Sequence, residues 1–235
     1  MSKKKILICG FPHCGTTILK CILGHIPEVF EIIEEVYNFD NFLSFDIEDE
    51  NKNYIVGKCP WYCKEITTLE KYKDFCIIFI IRNPVYVFSS LNERFRHNIP
   101  TCHSIDRYIN ICKSIMIEKD KPNHYFIKYE ELFDNDYENL KRVLNNIGLV
   151  YNSDIFNNTE YENKSFLKIN KNNINVSQVN HVQYRTNQIN KEFINNNDAG
   201  KINLHDTQME KILSDDTINI MYPDLKNIYY KYKKQ

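Results

Sequence analysis

The chain has little of what would mark it as a binder of polyanions, a membrane protein or a metal scaffold. Its formal net charge is −1. A general affinity for nucleic acid or for an anionic membrane needs a basic excess, so any anion site here must be local. No apolar run approaches the ~18 to 20 residues of a membrane span, and Met1 to Lys5 leads into the first apolar segment without the apolar core of a secretory leader. A cytoplasmic location is the expectation. The eight cysteines, Cys9, Cys14, Cys21, Cys59, Cys63, Cys76, Cys102 and Cys112, all lie in the first half and include no C-x-x-C pair. That spacing argues against a zinc site and makes reduced thiols the default. Glycine and proline are scarce, at 6 and 7 residues, which makes the cluster of Gly10, Pro12 and Gly15 stand out.

At 235 residues the chain is long enough for one domain with a sizeable core. The expectation is a single domain over 1–235, with recognisable motifs in 5–149 and a helical, loop-rich part over 151–235 that serves the acceptor side and a lid. Asparagine clusters after Tyr151, at Asn170 to Asn175 and Asn195 to Asn197, read as loops between apolar residues.

The stretch from Lys5 to Leu23, KILICGFPHCGTTILKCIL, reads as strand, tight loop and helix. Ile6, Leu7 and Ile8 form the apolar run, Gly10 and Pro12 break it, and Ile18, Leu19, Ile22 and Leu23 follow at helical spacing. A loop between a buried strand and a helix N-terminus points several backbone N–H groups at one place, where the helix dipole also favours an anion. A nucleoside-triphosphate loop is written G-x-x-x-x-G-K-S/T, with the lysine on the β- and γ-phosphates. Here Gly10 and Gly15 keep the spacing, but the lysine position is Thr16, followed by Thr17. This loop suits a single 5′-phosphate held by amides and two hydroxyls.

Further along, Val29 to Ile33 can form a strand that ends at the acidic pair Glu34 and Glu35. In open α/β sheets the carboxyl end of a strand is where ligands bind, although a solvated pair at a helix start fits the same residues. Tyr54 to Lys58 is another strand, with Lys58 at its exit. Phe75 to Ile81 is the most apolar run and reads as a central parallel strand. It stops at Arg82, and a helix from Val85 to Arg94 carries Ser90, eight residues beyond Arg82. An Arg fork and a hydroxyl so placed suit a dianionic phosphate monoester. Short helices are expected over Glu65 to Tyr72, Tyr137 to Ile147, Gln208 to Leu213 and Leu225 to Tyr232, a longer one over Ser104 to Lys119, and a strand at Tyr125. The fold class that emerges is a P-loop-type three-layer α/β/α domain with a central, mainly parallel sheet.

Three motifs in order resemble those of the PAPS-dependent sulfotransferases. Pro12, Gly15, Thr16 and Thr17 resemble the 5′-phosphosulfate loop P-x-x-G-T-T; Arg82 to Ser90 resembles the 3′-phosphate motif R-x-P-x-x-x-x-x-S; and Tyr129 to Leu132, with the helix closed by Gly148, resembles the Y-E-x-L segment. The pattern is closest to the tyrosylprotein and related Golgi-type enzymes. The resemblance implies sulfuryl transfer from 3′-phosphoadenylyl sulfate (PAPS), leaving 3′,5′-ADP, to a small-molecule, carbohydrate or peptide acceptor, with no metal. It implies Glu34 as catalytic base, with Glu35 one residue off the matching position; Lys58, in Lys58-Cys59-Pro60, on the transferring group; and Tyr129 near the adenine. Cys14 stands in the loop where relatives place serine, and His13 where they place lysine or arginine. The expectation for His13 is that its charged form is favoured and neutralises the leaving group; for Cys14, at a helix N-terminus, it is a lowered pKa and oxidant sensitivity. Ser177 and Arg185 are weak counterparts of later family residues. Val36 stands where the tyrosylprotein enzymes hold acidic peptides with arginine, and Tyr37, Phe39, Phe42, Phe45 and Trp61 can form an aromatic acceptor wall. A P-loop kinase of unusual type, or a non-catalytic nucleotide-binding protein on the same scaffold, remain the alternatives.

Overall fold

The computed structural model of the protein describes residues 3–61, 70–132, 136–156 and 202–233, with the backbone alone at 33, 34 and 231–233. The apolar runs become the strands β1 Lys4–Gly10, β2 Val29–Glu35, β3 Tyr54–Cys59, β4 Cys76–Ile81 and β5 His124–Lys128. They form one five-stranded sheet in the order β2-β3-β1-β4-β5, parallel at every pairing. Between them and after them come α1 Thr16–Gly24, α2 Phe39–Ser44, α3 Pro84–Phe95, α4 Ile105–Glu118, α5 Glu138–Ile147, α6 Asp206–Leu213, α7 Asp216–Met221 and α8 Leu225–Lys233.

The three central strands are buried on both faces, as continuous apolar runs in a parallel sheet must be. Alternation along β1 divides the core. Ile6 and Ile8 join α1 and α5 on one face, whereas Leu7 and Cys9 join α3, α4 and the C-terminal helices on the other. This is the three-layer α/β/α arrangement expected from the sequence. Gly10 ends β1 because a side chain there has no room: a Cβ would lie 2.2 Å from the carbonyl oxygen of Ile80 on β4.

Helix boundaries follow local chemistry. Asn83 caps α3 by accepting from the Val85 N–H at 3.0 Å, with Pro84 in the first turn. Ser104 caps α4 in the same way, and Gly148, at φ 86°, closes α5 in the left-handed conformation. Two expectations change. Of the helix expected over Glu65 to Tyr72, the described part, Glu70–Tyr72, is a 3₁₀ turn; the C-terminal part gains α7, whose six residues are too few for a periodic signal. Ser177 and Arg185 lie outside the described residues.

The chain leaves β1 toward β3 and β2 on one side and reaches β4 and β5 on the other. The order therefore reverses between β1 and β4, and the loops after these two strands face one crevice at the carboxyl ends. The C-terminal helices brace this region: buried Asn92 of α3 donates to the Asn203 carbonyl at 2.6 Å and to Gln208 Oε1 of α6 at 2.9 Å.

Candidate anion-binding and transfer site

The first component is the β1–α1 loop. Gly15 is the N-cap of α1 at φ 92°, and no side chain caps the helix. The first-turn N–H groups lack intrahelical partners by construction, so they face the crevice ready for an anion. Pro12 and Thr16 are buried, and Thr17 is half-buried in the same turn. Cys14 corrects an expectation. Its thiol is fully buried, and burial, only partly offset by a hydrogen bond from the Arg82 backbone, pushes its pKa up to about 12. The apolar surroundings outweigh the helix terminus, and the thiol is inert rather than activated.

The second component is Arg82 at the end of β4. Its guanidinium lies 4.7 Å over the ring of Tyr129 and 5.9 Å from that of Tyr86. The Tyr129 ring in turn packs on Gly15, where an added Cβ would come within 2.4 Å of a ring carbon. The three motifs noted in the sequence thus meet physically, and Tyr129 sits between the loop and Arg82. The Nε of Arg82 is buried and has no hydrogen-bond partner. A buried, charged donor left unpaired is costly, and an anion in the crevice is the chemistry that would satisfy it. Neighbouring Glu130 accepts the Asn83 N–H at 2.7 Å. Burial raises its pKa, against the lowering effects of that hydrogen bond and of Arg82.

The third component joins α3 to the loop. His13, held at φ 69°, places Nδ1 3.1 Å from Ser90 Oγ, and Arg94 NH1 lies 3.1 Å from His13 Nε2. His13 thus joins the loop to both Ser90 and Arg94 of α3. The cation beside the loop is Arg94, four residues after Ser90 and on the same helix face.

At the exit of β3, Lys58 is 1% exposed and pairs with Glu35 Oε1 at 2.8 Å; the Tyr37 hydroxyl donates to the other carboxylate oxygen. A register shift in the β2–β3 pairing between Glu31 and Glu35 sets Glu35 opposite Lys58. The side chain of Glu34 lies outside the described residues. The expected aromatic wall does not form as one surface. Phe42 lies under Gly57 and against Phe75 in the core, Phe39 packs on Tyr72, Phe45 packs on Phe30, and Tyr37 is 71% exposed. Trp61 instead faces His103.

The fold is an α/β domain of P-loop type whose candidate site lies at the carboxyl ends of β1 and β4. Among solved structures the chain is similar to mouse sulfotransferase SULT7A1 complexed with PAP, at 18% identity and a TM-score of 0.52, over 96% of this chain and 89% of that one. It therefore has the sulfotransferase fold. Weaker similarity extends to the sulfotransferase domain from the Synechococcus PCC 7002 olefin synthase (13% identity, TM-score 0.48, 66% of this chain and 77% of that one). The sulfotransferase domain from the curacin biosynthetic pathway compares likewise (13%, 0.46, 65% and 76%). None of these three is of the tyrosylprotein or Golgi type suggested by the sequence patterns. No family model matches the chain, and no curated protein matches it by sequence.

Proposed function

We propose that this protein is a sulfotransferase that moves a sulfuryl group from PAPS to an acceptor hydroxyl. The observation that carries the reading is the unpartnered, buried Nε of Arg82 beside Tyr129, which packs on the glycine of the phosphate-type loop. A crevice with an uncapped helix N-terminus on one strand and an Arg fork on the next fits a nucleotide carrying both a 5′- and a 3′-phosphate.

When bound, PAPS supplies the sulfuryl group, and 3′,5′-ADP is the leaving group. Thr16, Thr17 and the amides of the Pro12 to Gly15 loop hold the 5′-phosphate, with Cys14 serving only to pack the loop. Arg82 and Ser90 hold the 3′-phosphate, and Tyr129 fixes the spacing between the two sites. Lys58 stabilises charge on the transferring oxygens. A carboxylate of the Glu34 and Glu35 pair takes the acceptor's proton as the acceptor oxygen bonds to sulfur and the bond to the bridging oxygen breaks. The resemblance favours Glu34, and Glu35 is the carboxylate that the register sets beside Lys58. Arg94, in contact with His13, brings positive charge to the loop. Among the described residues no helix is long and apolar enough to cross a membrane, and the proposed setting is the cytoplasm.

Calorimetric titration tests the reading. 3′,5′-ADP should bind, and Arg82→Ala should weaken it by about tenfold or more, the loss of a charge-assisted contact. Binding of ATP with Mg²⁺ in its place would overturn the proposal in favour of a kinase.

A further inference from the structure

The carboxylate beside Lys58 owes its place to an irregularity in β2, and that irregularity is braced from outside the strand. Regular pairing sets Val29, Phe30 and Glu31 opposite Tyr54, Ile55 and Val56. Carried on, the same register would bring Ile33, an apolar residue, opposite Lys58. Instead β2 takes four steps from Glu31 to Glu35 while β3 takes two from Val56 to Lys58, and a carboxylate arrives there. Residues inserted in this way lie outside the ladder, so their backbone groups need other partners.

Lys20, in the middle of α1, supplies one. Its ammonium donates to the carbonyl of Ile32, inside the shifted stretch, at 2.7 Å, and pairs with Glu31 Oε1, at the last regular pair, at 3.0 Å. Glu31 is seated against the helix as well, since a Cβ added at Gly24 would lie 2.3 Å from its Oε2. Lys20 is 3% exposed, and lysine is almost never so buried unless paired. Past the shift the strands rejoin, where the Val36 N–H donates to the Lys58 carbonyl at 2.8 Å. Straightening β2 into regular pairing would pull the Ile32 carbonyl away from the ammonium and leave a buried charge short of a partner, which is costly.

We propose that Lys20 is a positioning residue: its hold on Ile32 and Glu31 fixes the shifted register and so keeps Glu35, rather than an apolar residue, against Lys58. Lys20 lies four residues after Thr16, on the helix that opens the phosphate-type loop, so one helix serves both the donor loop and the strand that bears the base. The word base rests on the sulfotransferase reading, whereas the role of Lys20 rests on the register alone.

Amide hydrogen exchange followed by NMR reads the register without turnover. In Lys20→Met the protection of the Val36 amide, taken relative to that of Ile78 in β4, should fall about tenfold or more, the size of one hydrogen bond to a charged group. Lys20→Arg keeps charge and donor and should restore much of it. Should the Met variant not fold, Lys20→Gln keeps a donor for Ile32 without the charge for Glu31, and should show the same selective loss in smaller measure. In single-turnover assays with labelled PAPS, Lys20→Met should lose about a hundredfold in rate, the scale for a reacting group misplaced by about an ångström, with 3′,5′-ADP affinity kept within about twofold. A fall in protection shared equally by Val36 and Ile78 would make Lys20 a general stabiliser and overturn the proposal, as would transfer at the unmodified rate in Lys20→Met. Selective loss at Val36 in a protein that neither binds 3′,5′-ADP nor transfers the label would retain the positioning role and sink the sulfotransferase reading instead.

Discussion

Replacing Gly15 with alanine tests whether the three motifs are one physical unit. Two costs arise at the same atom. At φ 92° an L side chain is strained, by about 1–2 kcal/mol for the left-handed region. The new Cβ would also sit 2.4 and 2.7 Å from two carbons of the Tyr129 ring. The ring must move, and with it the stacking of Arg82, worth about 0.5–2 kcal/mol. The sum is about 1.5–4 kcal/mol, read as a lower urea midpoint at unchanged slope. The informative comparison is a double-mutant cycle. In a Tyr129→Ala background the ring contact is already gone, so Gly15→Ala should cost only the backbone strain, about 1–2 kcal/mol. Calorimetry with 3′,5′-ADP should show the same non-additivity, because Tyr129 links the loop to Arg82. If Gly15→Ala cost the same in both backgrounds, the ring would not be what fills the glycine's space, and the link between the motifs would fail.

Lys58→Met should abolish turnover and destabilise the fold by about 3–5 kcal/mol, the usual result of leaving half of a buried ion pair; Glu35→Gln and Glu34→Gln, compared in single-turnover assays with labelled donor, should show the larger loss at Glu35. Cys14 should resist iodoacetamide in the native protein until the pH nears about 12, while Cys102, the exposed one among the described cysteines, is alkylated well before it, as peptide mass spectrometry would report; early labelling of Cys14 would contradict its burial. The folded Glu130 has its pKa above the ordinary 4.5, so the native state binds the extra proton and stability falls as pH rises from the ordinary value through the raised one. Glu130→Gln should flatten that part of the urea-midpoint profile, and an unchanged slope would remove Glu130 as its source.

The strands and the placing of the Gly15 loop and Arg82 at one crevice were legible in the sequence because each depends on short-range patterns. Parallel strands buried on both faces leave unbroken apolar runs, and the Gly15 loop and the Arg82 to Ser90 spacing are fixed by a single strand–loop–helix unit. What could not be read depends on register or on long-range meetings. The shift between Glu31 and Glu35 decides which acidic residue faces Lys58, and one residue of slip in a strand exchanges its faces. Arg94 resembles any solvated arginine in the last turn of a helix. Its one clue was its place one turn beyond Ser90, and its contact with His13 crosses 81 positions. The burial of Cys14 likewise depends on elements far along the chain, including Tyr108, Cys112 and Tyr222.

Helix α3 has a wider consequence. Arg82 precedes it, Ser90 lies in its middle and Arg94 in its last turn, so about 6 Å of rigid helix separates the Ser90 hydroxyl from the Arg94 cation beside the loop. Asn92, between them, fastens the same helix to α6. The helix is therefore one rigid spacer, and a displacement at Ser90 would be carried to Arg94 at its end.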